Sequence, residues 1–103
     1  MGEGQELGDA LDGEIPFGAK LDGAKLDRMT LPWISLAGAD LGKADLREAV
    51  LSFADLRGAR LDGAAADHAV LDGASLDGAR MAGADLFAAS FADAALADVQ
   101  GEA

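Results

Sequence analysis

Few side chains in this chain of 103 residues are of the types that perform catalysis or bind a metal ion. His68 is the only histidine and there is no cysteine, which excludes a thiolate nucleophile, a disulfide and any zinc site with cysteine ligands. His68 also lacks a second ligand of the kind that zinc requires. The sequence contains neither a GxxxxGK[ST] nor an HExxH motif. We therefore predict no catalytic residue, no metal site and no cofactor, and a protein that is not an enzyme.

The tripeptide Leu-Asp-Gly recurs and is the one remaining pattern that suggests ion binding. It begins at residues 11, 21, 61, 71 and 76. Calcium-binding β-rolls carry Asp and Gly in a repeat of about nine residues, whereas these tripeptides follow a shorter period. Asp followed by Gly is also a common pair in tight turns. We interpret the tripeptide as turn chemistry, with calcium binding as the alternative.

These residues are set in a repeat of five residues, of which sixteen consecutive units run from Ala19 to Asp98 without a gap. The central residue of each unit, at positions 21, 26, 31 and so on to 96, is Leu in thirteen units. The residue two positions earlier is Ala in fourteen units. The exceptions are Ala66, Met81 and Phe91 at the centre, and Met29 and Ile34 two positions before it. A fixed period over most of the chain predicts a solenoid built from one repeated unit.

A period of five residues requires the chain to bend once in each unit. On an α-helix five residues advance about 140° beyond a full turn, so the Leu positions would spiral around the helix and form no apolar face. In a strand, Leu and the Ala two positions earlier share a side, but an odd period turns the next pair to the opposite side. We place the bend at the two residues after each Leu. The second of these is Gly in seven units, and Gly permits the positive φ of a type II turn.

The units ADLRE at 44–48 and ADLRG at 54–58 resemble the A(D/N)LXX motif of the pentapeptide-repeat proteins. The resemblance covers about 80 of the 103 residues. It implies an all-β fold, a right-handed quadrilateral β-helix or β-solenoid with about four coils of four units, whose Leu and Ala positions face inward. Ala66 would then lie between Leu46 and Leu86 in one interior column, and should leave either a void or a locally pinched coil.

We divide the chain into an N-terminal capping segment at 1–18, the repeat at 19–98 and a C-terminal tail at 99–103. The capping segment is predicted to cover the N-terminal end of the solenoid, because a first coil otherwise exposes its apolar interior and unpaired backbone. Its apolar residues are Leu7, Leu11, Ile15 and Phe17. A partly frayed tail is the alternative. At the other end, 84–98 is predicted to form a fourth coil, with a helix as the alternative because Ala and Leu favour helices.

The N-terminal segment also bears on location. Residues 1–18 are acidic and lack the basic start and apolar run of a signal peptide. No stretch of the chain has the length of apolar sequence that a membrane span needs. The sequence therefore predicts a soluble, cytoplasmic protein that does not interact with a membrane.

The charge is unevenly distributed along the chain, whose net charge is −11. Residues 19–60 hold six acidic and seven basic residues, whereas 61–98 hold seven acidic residues and only Arg80 as a base. This balance contradicts a nucleic-acid-binding surface. Some members of the pentapeptide-repeat family are acidic rods that mimic DNA, bind type II topoisomerases such as gyrase and confer fluoroquinolone resistance. The resemblance implies this function as one alternative, with an acidic surface formed by Asp62, Asp67, Asp72, Asp77 and Asp85.

Two apolar groups complete the candidate sites. Trp33 and Phe53 are 20 residues apart and should stack on one face, beside Val50 and Val70. Exposed aromatic residues with β-branched neighbours favour a protein-binding surface; the alternative is that the rings pack on each other or on the N-terminal segment. The second group is a candidate homodimer contact at the C-terminal coil, formed by Phe87, Phe91 and Leu96. Our first interpretation is a protein-interaction or scaffold module, whose partner the sequence does not name.

Overall fold

The five-residue repeat winds into a four-sided solenoid in which each unit forms one short extended segment and one tight turn. This computed structural model describes residues 15–101. Isolated parallel β-bridges join residues that are 20 apart in sequence, from Lys20 with Asp40 to Arg80 with Gln100. Four units therefore complete one coil, which confirms the arrangement that the sequence resemblance implies.

We number the coils 1 (19–38), 2 (39–58), 3 (59–78) and 4 (79–98), and define the faces by their outward bridge residues. Face 1 carries Lys20, Asp40, Arg60, Arg80 and Gln100; face 2 carries Lys25, Asp45, Ala65 and Asp85; face 3 carries Thr30, Val50, Val70 and Ser90; face 4 carries Ser35, Asp55, Ser75 and Ala95. The turns of coil 1 fall at 22–23, 27–28, 32–33 and 37–38, and the later coils repeat them. We call these four positions corners A, B, C and D.

The turns have the geometry that the glycines predict. The second turn residue has a positive φ in every turn from Gly18 to Asp98, at eight glycines and nine other residues. A hydrogen bond closes the turn, as where the N–H of Ala44 donates to the C=O of Leu41 over 3.0 Å. Because the first turn residue keeps a negative φ, these are type II turns.

Coils are joined by a regular hydrogen-bond ladder. The N–H of Leu41 donates to the C=O of Arg60 over 2.7 Å, and the N–H of Arg60 donates to the C=O of Ala39 over 2.8 Å. The second turn residue takes part as well, since the N–H of Lys43 donates to the C=O of Asp62 over 2.9 Å. The N–H of the Ala two positions before the centre closes the preceding turn, so the first turn residue is the position whose N–H neither the ladder nor a turn uses. It therefore needs another acceptor, and in several turns an Asp side chain supplies it.

The core is a narrow column of Leu and Ala. The central Leu and the preceding Ala of coils 2 and 3 are buried, and the described residues include no buried polar or charged side chain. The interior positions of coils 1 and 4 are less covered, since Leu31 and Phe91 are only partly buried. Each coil thus buries its interior mainly against the coil above and the coil below, as expected for a solenoid.

The winding continues beyond the repeat limits that the sequence pattern suggests. Phe17 and Gly18 form a turn, and Gln100 pairs with Arg80. Residues 84–98 form a fourth β coil and not a helix. Of the predicted cap, Ile15 is partly buried against the core. Phe17, in contrast, is 82% exposed and its ring lies against Gly38 at corner D, so its placement over the end was wrong; Leu7 and Leu11 lie outside the described residues.

Ala66 leaves a void in the interior, which was one of the two outcomes expected from the sequence. A small, largely covered cavity lies beside Ala66 and leaves about 10 Å³ for the centre of a water molecule. Only Leu, Ala and Met side chains line it, including Leu46 in the coil above and Leu86 in the coil below. A cavity of this size without polar partners is expected to stay dry.

Replacing Ala66 with Leu should therefore stabilise the protein. The added methyl groups fill the cavity and restore apolar contacts, and cavity-filling changes commonly contribute about 0.5–2 kcal/mol. Urea denaturation measures the change in the free energy of unfolding. Ala54→Leu is the matched control, because Ala54 is buried and does not line the cavity, so overpacking should destabilise that variant. A loss of stability in Ala66→Leu would show that the cavity cannot accept the larger side chain.

Candidate partner-binding surface

Corner C carries two stacked aromatic rings. Trp33 in coil 1 and Phe53 in coil 2 lie with ring centroids 4.5 Å apart and an angle of 13° between the ring planes. Trp33 is 72% exposed and Phe53 is 50% exposed. The rings pack on each other, as the alternative interpretation of the sequence held, and still present a large aromatic area to solvent.

Both rings project from backbone that disfavours them. Trp33 has φ 65° and Phe53 has φ 60°, in the left-handed region where a bulky side chain is uncommon. A non-glycine residue there costs about 1–2 kcal/mol. The other non-glycine residues at this turn position are Arg28, Lys43, Glu48, His68, Ala88, Asp93 and Asp98. Trp33 and Phe53 are thus the two large apolar side chains at a position where glycine is favoured.

Phe53 is fixed from below by a glycine. Its ring lies over Gly73 in coil 3, where an added Cβ would come within 2.5 Å of the ring atoms. Gly73 also has φ 72°, so both its conformation and its lack of a side chain are required. The side of the aromatic pair that faces coil 3 is therefore covered, and the pair remains largely exposed elsewhere.

Face 3 continues this apolar surface. Its outward residues Thr30, Val50, Val70 and Ser90 carry no charge, and Val50 and Val70 are half-buried. Faces 1, 2 and 4 each carry at least one charged outward residue. The structure thus places Val50 and Val70 on the face that leads into corner C, where Trp33 and Phe53 lie. We call Trp33, Phe53, Val50 and Val70 the aromatic surface.

The predicted acidic surface has a different arrangement. Asp62, Asp67, Asp72 and Asp77 occupy the four corners of coil 3, one at each corner. They surround the solenoid and do not form a row along it, while Asp85 lies on face 2. Four of these carboxylates accept the N–H of the first turn residue of coil 4. The pairs are Asp62 with Ala82 (3.1 Å), Asp85 with Phe87 (3.1 Å), Asp72 with Ala92 (3.0 Å) and Asp77 with Ala97 (2.9 Å).

These hydrogen bonds give the aspartates a structural role that the sequence interpretation missed. All four first-turn N–H groups of coil 4, which the ladder does not use, are satisfied by an Asp side chain. These carboxylates therefore stabilise the stacking of coil 4 on coil 3 from outside the core. A signal was present in the sequence, since Asp recurs at the residues just before and just after the central Leu. Both positions lie beside the turn, where Asp commonly accepts a backbone N–H.

Ion pairs also form within a unit, and one joins two coils, where Arg80 of coil 4 lies 3.9 Å from the Asp62 carboxylate of coil 3. Stacking at 20 residues places Lys25 next to Asp45, but the Asp45 carboxylate pairs with Arg47 at 2.6 Å. Asp55 pairs with Arg57 at 2.7 Å in the same way. Hydrogen bonds from these arginines hold the pKa of each carboxyl below its usual value. The pairs therefore contribute to stability at neutral pH, and that contribution is lost as the pH falls through the lowered pKa.

His68 contacts one acidic residue and one aromatic residue. The Nδ1 atom of His68 lies 3.5 Å from the Asp67 carboxylate, and its ring contacts the edge of Phe87 at a centroid distance of 5.8 Å. Residues 15–101 include no cluster of three potential metal ligands.

The three residues of the predicted dimer contact do not lie together. Phe87 lies at corner B, on the side of the solenoid. Phe91 and Leu96 instead occupy interior positions of coil 4, where Leu96 is 47% exposed.

Comparison with known proteins gives matches to one family. A family model described as pentapeptide repeats matches in eight copies, over residues 17–52, 31–65 and 67–99. The pentapeptide repeat protein Rfr23 from the cyanobacterium Cyanothece 51142 superposes with a TM-score of 0.82 and 34% identity, over 84% of this chain and 58% of that chain. A pentapeptide repeat protein from the thylakoid lumen of Arabidopsis thaliana gives a TM-score of 0.62 and 30% identity, over 76% and 58% of the two chains.

A third solved structure is more distant. QnrB1, a plasmid-mediated fluoroquinolone resistance protein, gives a TM-score of 0.55 with 19% identity, over 81% of this chain and 53% of that one. At this identity the likeness shows the fold alone. Among curated proteins no sequence matches the chain. The chain spans about 58% of the length of the first two structures.

Within residues 15–101, no helix has the length and apolar character that crossing a membrane would require.

Proposed function

The chain belongs to the pentapeptide-repeat family, and from this premise we propose that it is a non-enzymatic module that binds a protein partner through the aromatic surface. Its fold is the right-handed quadrilateral β-helix of that family. A solenoid of this kind presents flat faces of parallel strands on a rigid core, which suits it to bind partners along its side.

One observation carries the proposal: Trp33 and Phe53 remain exposed in a backbone conformation that favours glycine. Glycine occupies the equivalent turn position in eight turns, so the fold itself does not need an aromatic residue there. Strained residues are often retained where function depends on them. Exposed Trp and Phe next to the uncharged face 3 are also the residue types that dominate binding energy at protein interfaces.

The double variant Trp33→Gly/Phe53→Gly tests this proposal. Relief of backbone strain offsets the loss of ring stacking, which is worth about 0.5–1.5 kcal/mol, so the free energy of unfolding should change little. Partner binding, measured by isothermal titration against proteins recovered with the wild-type chain, should fall at least about tenfold for a loss of 1.4 kcal/mol. Glu48→Gly makes the same backbone change at corner B and is the matched control. Retained binding in the double variant would remove the proposal.

A second candidate function rests on the charge of coils 3 and 4. Residues 61–98 hold seven acidic residues against Arg80 alone, and QnrB1 is by its description a fluoroquinolone resistance protein. The alternative is an acidic DNA mimic that binds gyrase or another type II topoisomerase. Against it stands the arrangement of Asp62, Asp67, Asp72 and Asp77 around one coil, because duplex DNA presents its charges in rows that continue along the axis.

Replacing Asp62, Asp72 and Asp77 with Asn separates the two roles of these residues. Asn keeps an oxygen that accepts the N–H of coil 4, so the fold should persist while three negative charges are removed. If the protein mimics DNA, inhibition of gyrase supercoiling should weaken in this variant. The corresponding Ala variant is the structural control, and should lose about 0.5–2 kcal/mol per removed cap by analogy with helix capping. Unaffected supercoiling with the wild-type chain would exclude this second function.

We also propose that the chain forms a homodimer through coil 4 and that it is located in the cytoplasm. Phe91 and Leu96 would form the contact, and the neighbouring carboxylates would oppose it, so association should increase with salt. Phe87, which is 72% exposed beside His68 at corner B, is the third residue of the proposed contact. Light scattering of the full chain in low and high salt measures the association.

A further inference from the structure

Four Asp-Gly pairs lie within the described residues, and their carboxylates differ in what holds them. The pairs are Asp22–Gly23, Asp62–Gly63, Asp72–Gly73 and Asp77–Gly78. In each pair Asp is the first turn residue and Gly the second. This sequence is the most reactive toward isoaspartate formation, because glycine leaves its backbone nitrogen sterically free to attack the Asp side chain. The surroundings of each pair therefore decide which one reacts.

Three of the four carboxylates are held by the next coil. The side chains of Asp62, Asp72 and Asp77 accept the N–H groups of Ala82, Ala92 and Ala97 over 2.9–3.1 Å. Each bond holds the carboxylate against the backbone of coil 4, so attack by the nitrogen of the following glycine requires that bond to break.

Asp22 lacks this restraint because the equivalent N–H donor bonds to a different aspartate. The equivalent donor for Asp22 is the N–H of Gly42, which donates instead to the side chain of Asp40 over 3.0 Å. No hydrogen bond from residues 15–101 reaches the Asp22 carboxylate, and Asp22 is exposed. Gly23 also has open space around it, whereas Gly73 lies under the Phe53 ring and Gly63 lies beside the Lys43 side chain.

We propose that Asp22–Gly23 is the site of spontaneous isoaspartate formation among the Asp-Gly pairs of residues 15–101. The Gly23 nitrogen attacks the Asp22 side-chain carbonyl carbon, forming a new C–N bond while the carboxyl oxygen leaves as water. Hydrolysis of the resulting succinimide adds that water back. Cleavage at the former backbone carbonyl carbon gives isoaspartate, and cleavage at the other restores aspartate. The sequence of steps needs no other reactant, and only the local opening of the hydrogen bond from the Gly23 N–H to the Gly42 C=O.

The product would disturb the winding at one place. Isoaspartate routes the backbone through the Asp22 side chain and adds one carbon atom to a unit whose length sets the stacking of coils. Residues 15–21 would then be displaced from coil 2, while 24–101 keep their register. The N–H of Leu21, which donates to the C=O of Asp40 over 2.8 Å, should lose its protection. The modification would thus release the N-terminal end of the solenoid as the protein ages.

Incubation of the full chain at neutral pH, well below its melting temperature, tests the proposal. Chromatography of proteolytic peptides separates isoaspartate from aspartate. We expect isoaspartate at residue 22 to form at least about tenfold faster than at 62, 72 and 77, a ratio that corresponds to about 1.4 kcal/mol. Hydrogen exchange on the aged protein should show faster exchange at Leu21 and unchanged exchange at Leu61. Similar rates at all four pairs would overturn the proposal, because they would mean that global unfolding controls the reaction.

Two single variants test the cause. Asp40→Ala frees the N–H of Gly42 to bind the Asp22 carboxylate, and should slow the reaction at residue 22 severalfold. Asp45→Ala removes a carboxylate of the same kind at the next unit, where Asp45 accepts the N–H of Arg47, and should leave residue 22 unchanged. An unchanged rate in Asp40→Ala, or equal slowing in both variants, would contradict the assigned role of Asp40. Equal melting temperatures of the two variants serve as the control for overall stability.

Discussion

Replacing Leu41 with Ala should destabilise the solenoid by about 3–5 kcal/mol, a large fraction of the stability expected for a domain of this size. Leu41 is fully buried in coil 2 and does not line the cavity beside Ala66. The surrounding side chains stack directly on backbone ladders above and below, so they cannot collapse into the space. Urea denaturation followed by circular dichroism measures the loss in the free energy of unfolding.

Leu46→Ala is the matched comparison and should cost about 1 kcal/mol less. Leu46 occupies the same position in the next unit and is also buried, but it faces the cavity and has fewer contacts to lose. In the Ala66→Leu background this difference should disappear, because the cavity is filled. If Leu46→Ala costs as much as Leu41→Ala in both backgrounds, the cavity does not weaken the packing of this column.

The winding of the chain could be predicted almost completely from the sequence. The strict period, the buried Leu and Ala positions and the glycines at the second turn residue each agree with the structure. They could be predicted because every unit faces the same physical problem, to bury two side chains and then bend. The number of units per coil came from the family resemblance, since a five-residue period alone does not fix how many units close a turn.

The surface was harder to predict, because side chains there choose among several partners at similar cost. Asp45 has Lys25 beside it in coil 1, yet pairs with Arg47 two residues away. Asp62 was interpreted as part of an acidic face, but its carboxylate accepts the N–H of Ala82. The sequence marks both residues as acidic and does not distinguish charge that is free to bind a partner from charge that holds the next coil.

The aromatic surface was easier to predict than the contacts of the charged residues and harder to predict than the winding. The 20-residue spacing of Trp33 and Phe53 predicted that they would stack, and they do. Their strained backbone follows from the turn position, which the period also identifies. The contact between the Phe53 ring and Gly73 was not predicted. The ring can lie across coil 3 there only because Gly73 has no side chain.

Deleting one residue should harm this protein more than deleting five. Removal of 54–58 deletes one whole unit, so each unit in 59–101 shifts to the preceding face of the solenoid. All contacts within 15–53 and within 59–101 persist, since residues 20 apart on the same side of the deletion still stack. The central Leu and preceding Ala of every remaining unit stay inside. We expect this variant to unfold cooperatively, with a modest loss of stability from one missing unit.

Deletion of Asp55 alone leaves a unit of four residues, Ala54-Leu56-Arg57-Gly58. An extended residue spans about 3.3 Å, and the shortened unit must either strain the coil by that length or change the side of its residues. In the second case Leu56 turns outward and Arg57 enters the core. Losing a buried Leu costs about 2–5 kcal/mol, and an unpaired buried charge costs several kcal/mol more. Circular dichroism of this variant should show no cooperative transition for coils 3 and 4. If both deletions unfold alike, the solenoid depends on particular side-chain columns across coils 2 and 3, and its five-residue period is not what holds it together.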